Sequence, residues 1–138
     1  MSKPVLQFAL LCDEVIKEEN TKKLSFIGLF GKINSSVLPI VQNRMYIITR
    51  WINITDELEH MQYFKIIREK DNKEIYDSKK NELPFLVKNE KGNHTVVARL
   101  NNIVFDPPGS YYIEFYLDDN VQPQRIYIEA VIMKNEVI

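Results

Sequence analysis

From Tyr111 to Asp118 the chain alternates without a break. Tyr111, Ile113, Phe115 and Leu117 point one way, and Tyr112, Glu114, Tyr116 and Asp118 the other. A period of two marks a β-strand, because successive side chains leave opposite faces of the pleat. Shorter runs of β-rich sequence recur at Val5–Cys12, Leu24–Ile33, Met45–Ile54, Gln62–Glu69 and Arg125–Met133. Thr95–Leu100 is another, interrupted by Asn101-Asn102 before Ile103–Phe105. Turn chemistry separates the runs: Asp71-Asn72-Lys73 tolerates left-handed backbone, and Asp106-Pro107-Pro108-Gly109 forbids ladder hydrogen bonds.

The weaker segments are read from the same rules. Glu74–Tyr76 is expected as a short strand, and Pro84 limits Leu83–Val87 to a sheet edge. Asn34–Asn43, with Pro39, reads as a crossing loop between sheets, and the charged residues around Val15 allow at most a helical turn. Gly28 and Gly31 have no side chain to pack, which predicts a bulge or a close backbone approach. The expectation is an all-β fold with little helix. It is an antiparallel two-sheet sandwich of about seven to eight strands, of the Ig-like, Greek-key type. A closed barrel is the alternative, disfavoured because Pro39, Pro84 and Pro107 sit as if at edges and crossings.

With 138 residues, residues 1–138 read as a single domain, and 45% hydrophobic content builds a core without staples. The formal net charge of -1 carries no basic excess, so no nucleic-acid partner is expected. Cys12 is the only cysteine, so no intrachain disulfide marks an oxidising compartment. The apolar run ending at Cys12 leads into Asp13 and Glu14, unlike a cleaved leader or a lipoprotein site. No run approaches the roughly 20 residues of a membrane helix. A cytoplasmic protein without membrane attachment is the expectation.

Candidate chemistry is sparse. Cys12 lies within an apolar strand beside Asp13, which suits a buried structural thiol. His60 and His94 lack a second His or Cys at ligand spacing; Glu57, Glu59 and His60 share a loop that reads as solvated. Asp118-Asp119-Asn120 offers a start for calcium, but hairpin chemistry explains the triplet. Lys22-Lys23, Lys79-Lys80, Lys65, Arg68 and Lys70 could meet phosphates, although Glu69, Asp71, Glu74 and Asp77 are interleaved with most of them. No catalytic, cofactor or metal residue is assigned.

Several strands are apolar on both faces, whereas a sandwich sheet needs only one. Tyr112, Tyr116, Tyr127, Val131 and Met133 therefore form a candidate interface. Two readings stay open: association with a protein partner or a second copy, or cover supplied by the chain itself. The first makes the chain a non-catalytic binding or assembly module and a homo-oligomer. The alternatives are a small-ligand or hydrolytic domain with its site in the end loops, and a phage or viral structural component.

Two stretches carry a resemblance. Phe8-Ala9-Leu10-Leu11-Cys12-Asp13 followed by Leu24-Ser25-Phe26-Ile27-Gly28-Leu29-Phe30 resembles the opening of an uncharacterised family of small bacterial proteins. Phe105-Asp106-Pro107-Pro108-Gly109-Ser110-Tyr111 is similar to a second, less specific segment of it. The resemblance implies a β-sandwich of bacterial or phage origin and transfers no activity and no catalytic residue.

Overall fold

The computed structural model describes residues 3–81 and 85–133. Ten strands form two sheets: β1 (Val5–Lys17), β2 (Leu24–Leu29), β3 (Lys32–Ser35), β4 (Ile40–Ile52), β5 (His60–Arg68), β6 (Lys73–Asp77), β7 (Phe85–Val87), β8 (His94–Phe105), β9 (Gly109–Leu117) and β10 (Asn120–Ile132). The four-stranded sheet runs β2-β1-β4-β8; the other runs β3-β10-β9-β5-β6, with β7 also paired to β5. No helix long and apolar enough to cross a membrane occurs among the described residues.

The all-β sandwich agrees with the sequence reading, with three corrections. Leu24–Ile33 is not one strand: Leu29 ends β2, and the chain crosses at Phe30-Gly31 to start β3 in the other sheet. The chain does cross between sheets within Asn34–Asn43, but the loop is shorter than expected: its ends belong to β3 and β4, and only residues 36–39 connect them. The charged residues around Val15 form no helical turn. They continue β1, where Val15 pairs with Phe26. The strand count rises above eight because β3, at 4 residues, is too short to display a period, and the edge expected beside Pro84 is a strand, β7. One pairing departs from the antiparallel rule, since β3 runs parallel to β10 with Ile33 opposite Ala130. Leu83 and Pro84 lie outside the described residues.

The alternation seen in the sequence fixes which side chains reach the core. Tyr111, Ile113, Phe115 and Leu117 of β9 are all buried, facing Leu11, Ile47, Trp51, Ala98 and Leu100 of the other sheet. In β8 the period breaks at Asn102, whose φ is 55°, and this returns Ile103 and Phe105 to the core side without a shift of register against β4. The T-shaped pair Phe105–Tyr111, with centroids 5.1 Å apart, closes that end, and the Tyr111 hydroxyl donates to the Pro107 carbonyl at 2.5 Å. At the far edge Phe64 stacks between Tyr76 and Phe85. The core also holds a polar knot: Thr49 Oγ1 and Trp51 Nε1 donate to Gln62 Oε1 at 2.6 and 2.7 Å.

Gly28 is a close approach, as its position in a strand suggested. Its φ is 73°, and a Cβ there would stand 2.5 Å from Asp13 Oδ2 on the neighbouring strand. Gly28→Ala is therefore expected to destabilise the fold by about 1–2 kcal/mol, from left-handed backbone strain plus displacement of Asp13. A urea melt checks this; an unchanged midpoint would show that the hairpin absorbs the side chain freely. Gly31 differs, because its nearest neighbour is the Tyr127 carbonyl at 3.5 Å, an ordinary contact.

Candidate functional site

The outer face of the six-stranded sheet is built from the outward residues of β5, β9 and β10 in register. Ile67, Tyr112 and Tyr127 form one row, Lys65, Glu114 and Arg125 the next, and Tyr63, Tyr116 and Val121 a third. Charged side chains lock the middle row onto its neighbours. Arg125 Nη2 donates to Glu114 Oε2 at 3.0 Å while its guanidinium lies 4.3 Å from the Tyr112 centroid. Lys65 Nζ donates to Glu74 at 2.9 Å and sits 5.3 Å from the Tyr116 ring. The Tyr116 hydroxyl donates to Glu114; burial and that carboxylate push its pKa up.

The candidate interface residues thus divide. Tyr112 is 7% exposed beneath Arg125, and Tyr116 is half-buried beside Lys65. Tyr127 is 59% exposed, Met133 52%, and Val131 intermediate, all on the outward side of β10. Val121, at 57%, was not singled out from the sequence, because it lies in what reads as a turn. The chain's own cations cover the inner part of the face and leave an apolar rim.

A second constellation sits at one end of the sandwich. His60 opens β5 and is held between two carboxylates: Nε2 meets Asp56 Oδ1 at 2.9 Å, and Nδ1 meets Asp118 Oδ2. Asp118 is placed by the two-residue β9–β10 turn, where it and Asp119 take φ of 48° and 70°. Its other oxygen accepts the Met61 N–H at 2.8 Å. Burial works against a charge on His60, but the hydrogen bonds its ring donates to Asp118 and Asp56 outweigh it and raise the pKa. A cleft of roughly 380 Å³, whose lining includes Lys3, Leu117 and Asn120, opens beside it.

Both ring nitrogens are committed, so His60 has none to offer a metal or a nucleophile. Asp119 turns toward Lys79 at 3.2 Å, away from Asp118's partners, and among the described residues no group of three His, Cys, Asp or Glu side chains is placed to hold a metal ion. Hairpin geometry accounts for the Asp118-Asp119-Asn120 triplet. His94 lies elsewhere, accepting the Lys88 N–H at 2.7 Å. Cys12 is fully buried, and desolvation, with Asp13 and Glu14 nearby, pushes its thiol pKa up.

The basic residues separate in the same way. Lys65, Lys79 and Lys80 each pair with a carboxylate, and Arg68 makes a bidentate pair with Asp71, whose pKa it lowers to about 2. Lys22-Lys23 has no such partner among the described residues. The β1–β2 hairpin brings this pair, with Lys17 and Phe26, into one cleft of roughly 510 Å³ with Phe8, Arg50 and Thr95. Those last three lie on the outer face of the four-stranded sheet, since Phe8 pairs with Arg50 and Arg50 with Thr95, out of phase with buried Leu6, Trp51 and Val96. The hairpin therefore reaches over that face. Ile48 and Cys12 also point away from the core and are fully buried. The signal available in the sequence was Arg50, a lone charge in the run Tyr46–Ile52.

Residues 7–129 match the family described as a family of unknown function (DUF6941). The chain belongs to DUF6941. The uncharacterised-family resemblance is thereby met at the level of the family. No curated protein matches the chain. DUF6941 membership spans both sheets, from β1 into β10, and assigns no activity to any of the clefts or faces above.

Proposed function

We infer that this chain is a non-catalytic binding and assembly module that meets a second copy of itself through the outer face of the six-stranded sheet. The carrying observation is the rim of that face, where Tyr127, Val121 and Met133 stay more than half exposed beside an ordered lattice of ion pairs. Tyrosine at such a position supplies a large contact area with little entropy to lose. The charge pattern favours a like partner. Lys32, Lys65 and Arg125 share the face with Glu74, Glu114 and Glu129, so a two-fold axis can set each sign against the other. A cytoplasmic setting goes with this reading.

The test is molar mass by light scattering at about 100 µM, a concentration that populates even a weak dimer. The wild type is expected near twice 16.3 kDa and Tyr127→Glu near 16.3 kDa. A monomeric wild type would overturn the reading. Rings or tubes in micrographs would mark a phage-type structural component instead of a dimer.

A further inference from the structure

The cleft between the β1–β2 hairpin and the four-stranded sheet gathers four cations, Lys17, Lys22, Lys23 and Arg50, against the half-buried rings of Phe8 and Phe26. We propose that this cleft binds an organic anion of nucleotide chemistry, a flat apolar body lying on the two phenylalanines and two or more negative charges held by the four cations.

Three observations carry it. First, none of the four cations has an ion-pair partner among the described residues, whereas Lys65, Lys79, Lys80, Lys88, Arg44, Arg68 and Arg125 all do. Glu90 is the sole carboxylate in the described lining. Like charges gathered without counter-charges repel, and a bound anion relieves that repulsion. Second, Arg50 is aimed. Its Nε donates to Gln7 Oε1 and its Nη1 to Thr95 Oγ1, each at 3.0 Å, which orients the guanidinium through neutral acceptors and leaves its charge available. Third, the loop bearing Lys22 and Lys23 is set in advance. Glu18 N–H donates to the Lys23 carbonyl at 2.8 Å, Lys22 N–H to the Glu18 carbonyl at 2.9 Å, and Lys22 holds a φ of 62°. The Glu18 carboxylate accepts the Thr21 N–H inside the same turn.

Aromatic rings beside cations are the arrangement that takes both a base and its phosphates. The sites of the two proposals lie on different sheets, so each stands alone.

Calorimetric titration of the full chain tests the proposal, with ATP, adenosine and tripolyphosphate as probes at about 50 mM salt, where phosphate contacts are least screened. ATP is expected to bind saturably and to weaken as salt rises, with adenosine at least about tenfold weaker once the charge contacts are gone. Lys22→Gln/Lys23→Gln should weaken ATP roughly fivefold and Arg50→Gln about tenfold, in line with exposed pairs against an oriented guanidinium. Phe26→Ser should cost ATP roughly tenfold and leave tripolyphosphate unchanged, because only the base stacks. Lys70→Gln, an exposed cation in the β5–β6 turn, is the control expected to change nothing. The proposal is overturned by absence of saturable ATP binding, by equal affinity for ATP and tripolyphosphate (adventitious anion binding only), or by cleft variants of unchanged melting temperature that bind as the wild type does.

Discussion

Trp51→Ala is expected to lower the unfolding free energy by about 4 kcal/mol, the middle of the range for removing a buried large aromatic. The indole is fully buried between the sheets, so alanine leaves a cavity that two hydrogen-bonded layers cannot collapse into. A second loss comes from the polar knot. Gln62 is fully buried, and Trp51 Nε1 is one of the two donors to its Oε1, so alanine leaves that oxygen with Thr49 alone. Trp51→Phe keeps most of the volume and should cost about 1–2 kcal/mol, much of it the lost hydrogen bond. In a thermal melt the alanine variant should fall by roughly 10–15 °C for a domain of this size. A loss near 1 kcal/mol for alanine would mean that the indole is not in the core.

The second large effect is on pH dependence. With its folded pKa raised, His60 stabilises the fold as a cation. That stabilisation is fully present below the unfolded histidine value of about 6.5 and is lost as pH rises through the higher folded value. His60→Gln removes the charged link between the loop bearing Asp56 and the turn bearing Asp118. At pH 5.5 the variant should be less stable by about 2 kcal/mol, the usual range for hydrogen bonds to charged groups. At pH 9 the gap should narrow, because the wild type has then lost its imidazolium. Urea melts of both proteins across that interval check this. A gap that is constant or widens upward would show that His60 is neutral in the folded protein.

The legible part of this fold was the part with long alternating strands. β9 and the first half of β8 were assigned with their inward residues correct, because six or more residues of strict period leave one reading. β3 escaped because a strand of four residues shows no period, and it is held by parallel pairing with β10 at the opposite end of the chain. The two-faced apolar character was also visible. Its meaning was not, since Arg125 covers Tyr112 and Lys65 covers Tyr116 only once β5, β9 and β10 are in register. Val121 was hidden by the turn chemistry around it, and the hairpin cleft by the 23 residues between Phe26 and Arg50.

Amide chemical shifts recorded on dilute and concentrated protein test directly whether two copies meet at the exposed rim of the six-stranded sheet. Concentration-dependent shifts are expected at Val121, Arg125, Tyr127 and Val131 on β10, at Met133 just past its end, and at Tyr112 on β9, the partner of Tyr127. Invariant shifts there, or changes confined to the β8 edge of the other sheet, would contradict it.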